Sequence, residues 1–112
     1  YLARQYEQAS RDAMHDALTG AYTFRVLSSR LEEELNRASR TGTSIAVLFI
    51  DLDKFKPVND VHGHAAGNLI LRNVARILTE ATRTSDIVCR YGGDEFVIIL
   101  VNPDRECAGQ GA

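Results

Sequence analysis

The chain has 112 residues, 45% of them hydrophobic and 25% charged, which suits one globular domain. A formal net charge of −2 offers no basic surface to a nucleic-acid duplex, although a local cluster of cations can still hold a phosphate. No apolar stretch reaches membrane-spanning length, the polar N-terminus is unlike a secretory signal, and Cys89 and Cys107 form no CxxC, so free thiols in the cytoplasm are expected, whether or not a longer parent is membrane-anchored.

Tyr1 to about Asp16 reads as a helix. Leu2, Tyr6, Ala9 and Ala13 recur at spacings of 4, 3 and 4, a seam of period 3.5. Such a helix either packs on its own domain or serves as a coiled-coil linker from an upstream module. We therefore expect a linker helix over 1–15 and a domain over 16–112. Leu18-Thr19-Gly20 interrupts this helix, and a second runs from about Tyr22 to Arg40. Phe24, Leu27, Leu31 and Leu35 line its apolar face, with Glu34 and its charged neighbours largely elsewhere, and Thr41-Gly42 stops it. The unbroken apolar run Ile45–Ile50 reads as a strand buried on both faces and central in a sheet, ending at Asp51-Leu52-Asp53.

A short helix is expected over Lys54–Val61, with Pro57 in its first turn, followed by a turn at His62-Gly63-His64. A long helix covers about Ala66–Thr82, with Ile70, Val74, Ile77, Leu78 and Ala81 inward. Strand-like runs at Asp86–Tyr91 and Glu95–Val101 flank Gly92-Gly93, a hairpin signal in which the glycines are expected to supply positive φ. Asn102-Pro103 ends the last strand. The fold class is α/β (α+β): a largely antiparallel, half-ferredoxin-like sheet covered by helices, needing at least one more helix and strand to cover its other side.

Three acids sit where such a scaffold would aim them. Asp51 ends the central strand, and Asp94 and Glu95 follow the glycine turn. With the hairpin beside that strand, the carboxylates converge at one rim. Clustered carboxylates repel, so they need a proton or a divalent cation; oxygen ligands favour Mg²⁺ or Mn²⁺, which bridge carboxylates to nucleotide phosphates. Taken singly, Asp51 or Asp53 reads as a turn residue; the whole set beside Gly92-Gly93 does not.

Arg90-Tyr91-Gly92-Gly93-Asp94-Glu95-Phe96 resembles the signature of the GGDEF family of diguanylate cyclases. Asp16-Ala17-Leu18-Thr19-Gly20 is similar to that family's opening DxLTG. Asp51-Leu52-Asp53-Lys54-Phe55-Lys56, Asn59-Asp60, Gly63-His64 and Gly67 are similar to its D-x-D-x-F-K-x-x-N-D-x-x-G-H-x-x-G block. Order and spacing agree from about Asp16 to Val101.

The resemblance implies a fold like the palm of nucleotidyl cyclases and polymerases, and the condensation of two GTP to cyclic di-GMP with release of pyrophosphate. It implies Mg²⁺ (or Mn²⁺) on Asp51, the Leu52 carbonyl and Glu95, with Asp94 at a second metal or acting on the 3′-hydroxyl. Asp94 and Glu95 are thus the catalytic acids. Asn59 and Asn68 read the guanine edge with His64 nearby, and the amides of Lys54, Phe55 and Lys56 cradle the phosphates. Gly92 and Gly93 let backbone approach phosphate closely. A symmetric product made from one GTP per domain implies a homodimer, assembled by the N-terminal helix or an upstream module. Arg83-Thr84-Ser85-Asp86 ends six residues before Gly92 and resembles the family's inhibitory site for cyclic di-GMP.

Three departures stand out. Thr23 and Phe24 replace the family's Asn and first Arg after DxLTG. Asn68 stands where the family has Asp, giving an amide donor in place of a carboxylate oxygen and relaxing purine selectivity. The family's domain also runs on beyond the chain's end, with basic residues for the triphosphate, so a truncated chain is expected either to be inactive alone or to need its missing part to fold. The alternative reading is a catalytically silent domain that binds cyclic di-GMP or GTP. A purely structural dimerisation unit leaves the acids unexplained.

Overall fold

The structure, a computed structural model, describes residues 13–103. The expected linker helix falls mainly on residues 1–12, outside them. The elements are α1 (Phe24–Thr41), β1 (Ile45–Asp51), α2 (Phe55–His62), α3 (His64–Ala81), β2 (Ile87–Arg90) and β3 (Glu95–Val101). The three strands form one sheet in the order β1-β3-β2, with both pairings antiparallel. The crossover from β1 to β2 runs through α2 and α3.

Central position therefore belongs to β3, not to β1 as the apolar run suggested. The six residues Ile45–Ile50 are as apolar as Phe96–Val101, but the helices lean on β2 and β3. Phe96 and Ile99 are completely buried, whereas Val47, Leu48 and Phe49 are exposed, Phe49 to 76%. An apolar run reports that a strand can be buried; it does not say which strand the helices cover.

α1 packs Leu27 and Leu31 against Ile87, Cys89, Val97 and Ile99 on one face of the sheet. α3 packs Leu71 and Ala75 against Val88, Phe96 and Ile98 on the other. Both helical stripes differ from expectation. On α1, Phe24 and Leu35 are exposed, and the covered positions are Leu27, Glu34 and Ala38. Glu34 can be covered because Arg37 Nη1 donates to both of its oxygens at 2.9 Å and Arg30 Nη2 to one at 3.3 Å. A buried carboxylate gripped by two guanidiniums replaces the leucine that the pattern called for. On α3 the buried line is Gly67, Leu71 and Ala75, while Ile77 is exposed. The small residues Gly67 and Ala75 let the helix lie close.

The sheet gains one further rung on its β2 edge. Tyr22 N–H donates to the Val88 carbonyl at 3.0 Å, and Arg90 N–H donates to the Tyr22 carbonyl at 2.9 Å. This ties the segment that enters the domain to the strand leading into the glycine turn. Thr23, one of the departures from the family pattern, fastens the same segment by donating its hydroxyl to the Ala13 carbonyl at 2.6 Å. Cys89 lies fully buried in this layer, where burial pushes its thiol up to about 11, so it packs rather than reacts.

The relocation of the centre to β3 has a direct consequence for stability. Ile99→Ala should cost about 2–5 kcal/mol, as buried aliphatic truncations do. Phe49→Ala should change stability by no more than about 0.5 kcal/mol. Urea unfolding of the two variants checks the contrast.

Candidate active site

β1 and β3 pair in a register that sets Asp51 directly opposite Glu95. Directly opposed residues project from the same face, with Cβ atoms about 4.5–5.5 Å apart. The Leu52 N–H donates to the Asp94 carbonyl at 3.0 Å, which extends the ladder one bond past the strands. Asp51, Leu52, Asp94 and Glu95 thus meet at one open end of the sheet, as the sequence led us to expect.

The turn that delivers Asp94 and Glu95 is not built as expected. Neither Gly92 nor Gly93 has positive φ; that conformation belongs to Gly20, Gly42 and Gly63. A Cβ at Gly92 would meet the tip of the Glu95 carboxylate, which folds back over it but is exposed and can swing aside. At Gly93 a Cβ would meet no protein atom, so the space beside it is open. Tyr91 N–H closes the turn by donating to the Glu95 carbonyl at 2.8 Å.

Arg90 holds this turn from outside, a role that the sequence did not disclose. Its guanidinium donates to the Gly93 carbonyl at 2.8 Å and the Gly92 carbonyl at 3.3 Å. It also binds both oxygens of Asp16, at 3.1 and 3.3 Å. Thr19 completes the grip on Asp16 with its N–H and hydroxyl, each at 2.8 Å. Partial burial raises the Asp16 pKa, but the Thr19 bonds and then Arg90 outweigh it, leaving the carboxyl below its ordinary 3.8. The visible signals were an arginine abutting the glycines and an isolated acid in DxLTG. Neither says that the two touch across 74 residues.

Beside the acids lies a cleft of about 250 Å³. Phe55, Lys56 and Asn59 of α2 and His64 and Asn68 of α3 line it, with Arg90, Gly93 and Asp94 opposite. The candidate nucleobase residues and one candidate catalytic acid are therefore gathered around one cavity. Asp51, Leu52, Glu95, Lys54 and Gly92 stand outside its lining. Lys54 takes a left-handed conformation (φ 59°) that starts α2, and its side chain makes no capping bond. The amides of Phe55 and Lys56 open this helix.

Among the described residues, no group of three or more His, Cys, Asp or Glu side chains is gathered to hold a metal. The fit to a cation rests on the opposed Asp51–Glu95 pair with the Leu52 carbonyl. That is an all-oxygen set of the kind Mg²⁺ uses when substrate phosphates supply further ligands.

Arg83 and Asp86 come together at the other end of β3. The Asp86 carboxylate, 3% exposed, accepts from the Arg83 N–H at 2.9 Å, the Val101 N–H at 3.0 Å and the Arg83 guanidinium at 3.3 Å. The guanidinium also donates to the Val101 carbonyl. The pair clasps the α3–β2 turn to the end of β3. Both residues border a cleft of about 380 Å³ that includes Tyr22, Thr82 and Val88.

Residues 13–112 match the family model described as "Diguanylate cyclase, GGDEF domain". The chain is 45% identical over 100 residues to the diguanylate cyclase DosC of Escherichia coli K12, covering 88% of this chain and 22% of that protein. It is 38% identical over 108 residues to the response regulator PleD of Caulobacter vibrioides, covering 96% and 23%. Among solved structures it is similar to the GGDEF domain of PA1120 (TpbB or YfiN) from Pseudomonas aeruginosa, at TM-score 0.77 and 43% identity, covering 79% of this chain and 51% of that one. It is also similar to the coiled coil and GGDEF domain of DgcB from Caulobacter crescentus in complex with c-di-GMP, at TM-score 0.83 and 32% identity, covering 90% and 53%. The chain thus spans under a quarter of these curated relatives and about half of these solved chains.

The Asp16–Arg90 contact carries a pH signature. A carboxyl whose folded pKa lies below its unfolded value stabilises the fold above that unfolded value, and the contribution is lost as pH falls through the folded one. The stability difference between the unsubstituted protein and Asp16→Asn should therefore be constant above about pH 5 and shrink steadily in more acid solution. Urea unfolding at a series of pH values measures it; a pH-independent difference would remove Asp16 from the contact.

Proposed function

Because this chain belongs to the GGDEF family of diguanylate cyclases, we propose that the protein containing it joins two GTP molecules into cyclic di-GMP, using this site. The observation that carries the reading is the Asp51–Glu95 opposition at the sheet's open end, with a cleft beside it.

Each turn of that reaction forms a bond from the 3′-oxygen of one GTP to the α-phosphorus of the other. It breaks the bond to pyrophosphate and releases the hydroxyl proton. Asp51, Glu95 and the Leu52 carbonyl are suited to hold Mg²⁺ or Mn²⁺, which supplies charge neutralisation at the phosphates and acidifies the hydroxyl. Asp94 borders the cleft, where its carboxylate can accept the 3′-hydroxyl proton or hold a second ion. Asn59 and Asn68 bind and orient the base. The start of α2 and the open space beside Gly93 receive the phosphates. Asn68 keeps one acceptor for the guanine edge but lacks the second that Asp would offer, so discrimination against ATP is weaker than a carboxylate would give.

One domain holds one GTP in this scheme, so the product requires two domains facing each other, a homodimer whose assembly sets the rate. Arg83 takes product phosphate or guanine at the far cleft, with Asp86 fixing its guanidinium. The setting is cytoplasmic, where GTP is found. Among the described residues no helix is long and apolar enough to cross a membrane.

Incubating the full-length protein with GTP and Mg²⁺ should yield cyclic di-GMP, and Asp94→Ala should lower the rate at least about 100-fold. Failure of the unsubstituted protein to turn over GTP while binding cyclic di-GMP would favour a silent binding domain instead. Arg83→Ala should relieve inhibition by added product at nearly unchanged initial rate; undiminished inhibition would reject that site.

A further inference from the structure

Asn59 and His64 lie on different helices, and the break between those helices folds one onto the other. Gly63 has φ 88° and donates its N–H to the Asn59 carbonyl at 2.8 Å, which ends α2. α3 then starts at His64, whose Nδ1 lies 3.0 Å from Asn59 Nδ2. An amide nitrogen only donates, so His64 Nδ1 accepts and the ring proton sits on Nε2. Gly67, one turn further along α3, lies against Asn59 from another side. A Cβ there would collide with Asn59 Oδ1 and stand 3.2 Å from the Phe55 ring. The amide is therefore gripped at its nitrogen by His64, and its oxygen is accommodated by the missing side chain of Gly67.

We propose that His64 is a positioning residue, its Nδ1 fixing the Asn59 amide so that a nucleobase in the cleft meets one donor–acceptor presentation. This role rests on the reading of that cleft as the nucleobase site. The two ends of a carboxamide are nearly isosteric and differ only in hydrogen-bonding sense. A free amide could turn to suit adenine as readily as guanine. With one N–H committed to His64, the remaining N–H and the carbonyl oxygen keep fixed places. Because Asn68 stands in place of a carboxylate, more of the discrimination falls on Asn59, and so on the histidine that holds it. Gly63, His64 and Gly67 then serve one device: the break, the acceptor and the space.

The test is equilibrium binding of α,β-methylene GTP and α,β-methylene ATP to the full-length protein in Mg²⁺. His64→Leu, similar in size but without an acceptor, should weaken the GTP analogue roughly three- to tenfold and narrow its preference over the ATP analogue. His64→Asn, whose Oδ1 stands near the place of Nδ1, should bind within about twofold of the unsubstituted protein. In an Asn59→Ala background, His64→Leu should have no further effect. Gly67→Ala, which displaces the amide while leaving His64 intact and suits a helix, should narrow the same preference and serves if His64→Leu does not fold. Equal losses in the Leu and Asn variants, additive losses with Asn59→Ala, or an unchanged preference in Gly67→Ala would overturn the role. Absence of any GTP-analogue binding by the unsubstituted protein would remove the nucleobase-site reading and this role together.

Discussion

The register of β1 on β3 is the constraint from which the rest follows. Side chains alternate between faces with period two, so a slip of one residue in β3 would exchange the set held under α3 with the set held under α1. β3 cannot tolerate that, because Phe96 and Ile98 are held under α3 while Val97 and Ile99 are held under α1. Burial of these four residues fixes the strand, and the ladder fixes its partner. Asp51 then has no choice but to face Glu95. Like charges placed directly opposite destabilise a sheet. The pair is tolerable at the exposed end of the ladder, where water screens it, and a divalent cation held there would offset the repulsion. The hydrophobic core thus aligns the acids, and the acids lend little to the core.

The glycine turn depends on a second alignment. Its carbonyls at Gly92 and Gly93 have no ladder partners, and Arg90 supplies the donors. A guanidinium is suited to this because its planar fork reaches several acceptors while staying charged. Asp16 neutralises it from the entry segment, and the Tyr22 rung holds that segment against β2. The path from the domain's entrance to the acids is therefore short: Asp16, Arg90, the turn carbonyls, the acids. A displacement of the entry segment would be felt at the turn through one side chain.

Much of this was legible in the sequence, and the failures share a cause. Element order, the hairpin, the helix break at Gly63 and the acids at one rim all followed from local patterns. Local pattern does not report which strand the helices cover, so β1 was placed at the centre instead of β3. It does not report that Glu34 replaces a leucine in the α1 interface, because arginines at i−4 and i+3 also read as an ordinary solvated face. The glycines of the turn were rightly singled out for a partly wrong reason. Neither has the left-handed torsion expected of it; Gly93 opens on free space and Gly92 lies under the tip of the Glu95 side chain. Arg90 was visible as a letter of the motif but not as a buttress, since its partner lies 74 residues away.

β3 also sets the relation between the two clefts. Glu95 begins it at the rim that carries the acids, and Val101 ends it in the clasp of Arg83 and Asp86. Six steps along a strand amount to about 20 Å. A ligand on Arg83 therefore lies too far from Asp51 and Glu95 to displace a metal or a nucleotide from the same domain. Between the two ends Phe96, Val97, Ile98 and Ile99 are all buried. That cleft is also walled by His15, Gly20 and Tyr22 of the entry segment, so a ligand on Arg83 would bear on the acids through the Asp16–Arg90 contact rather than along the strand.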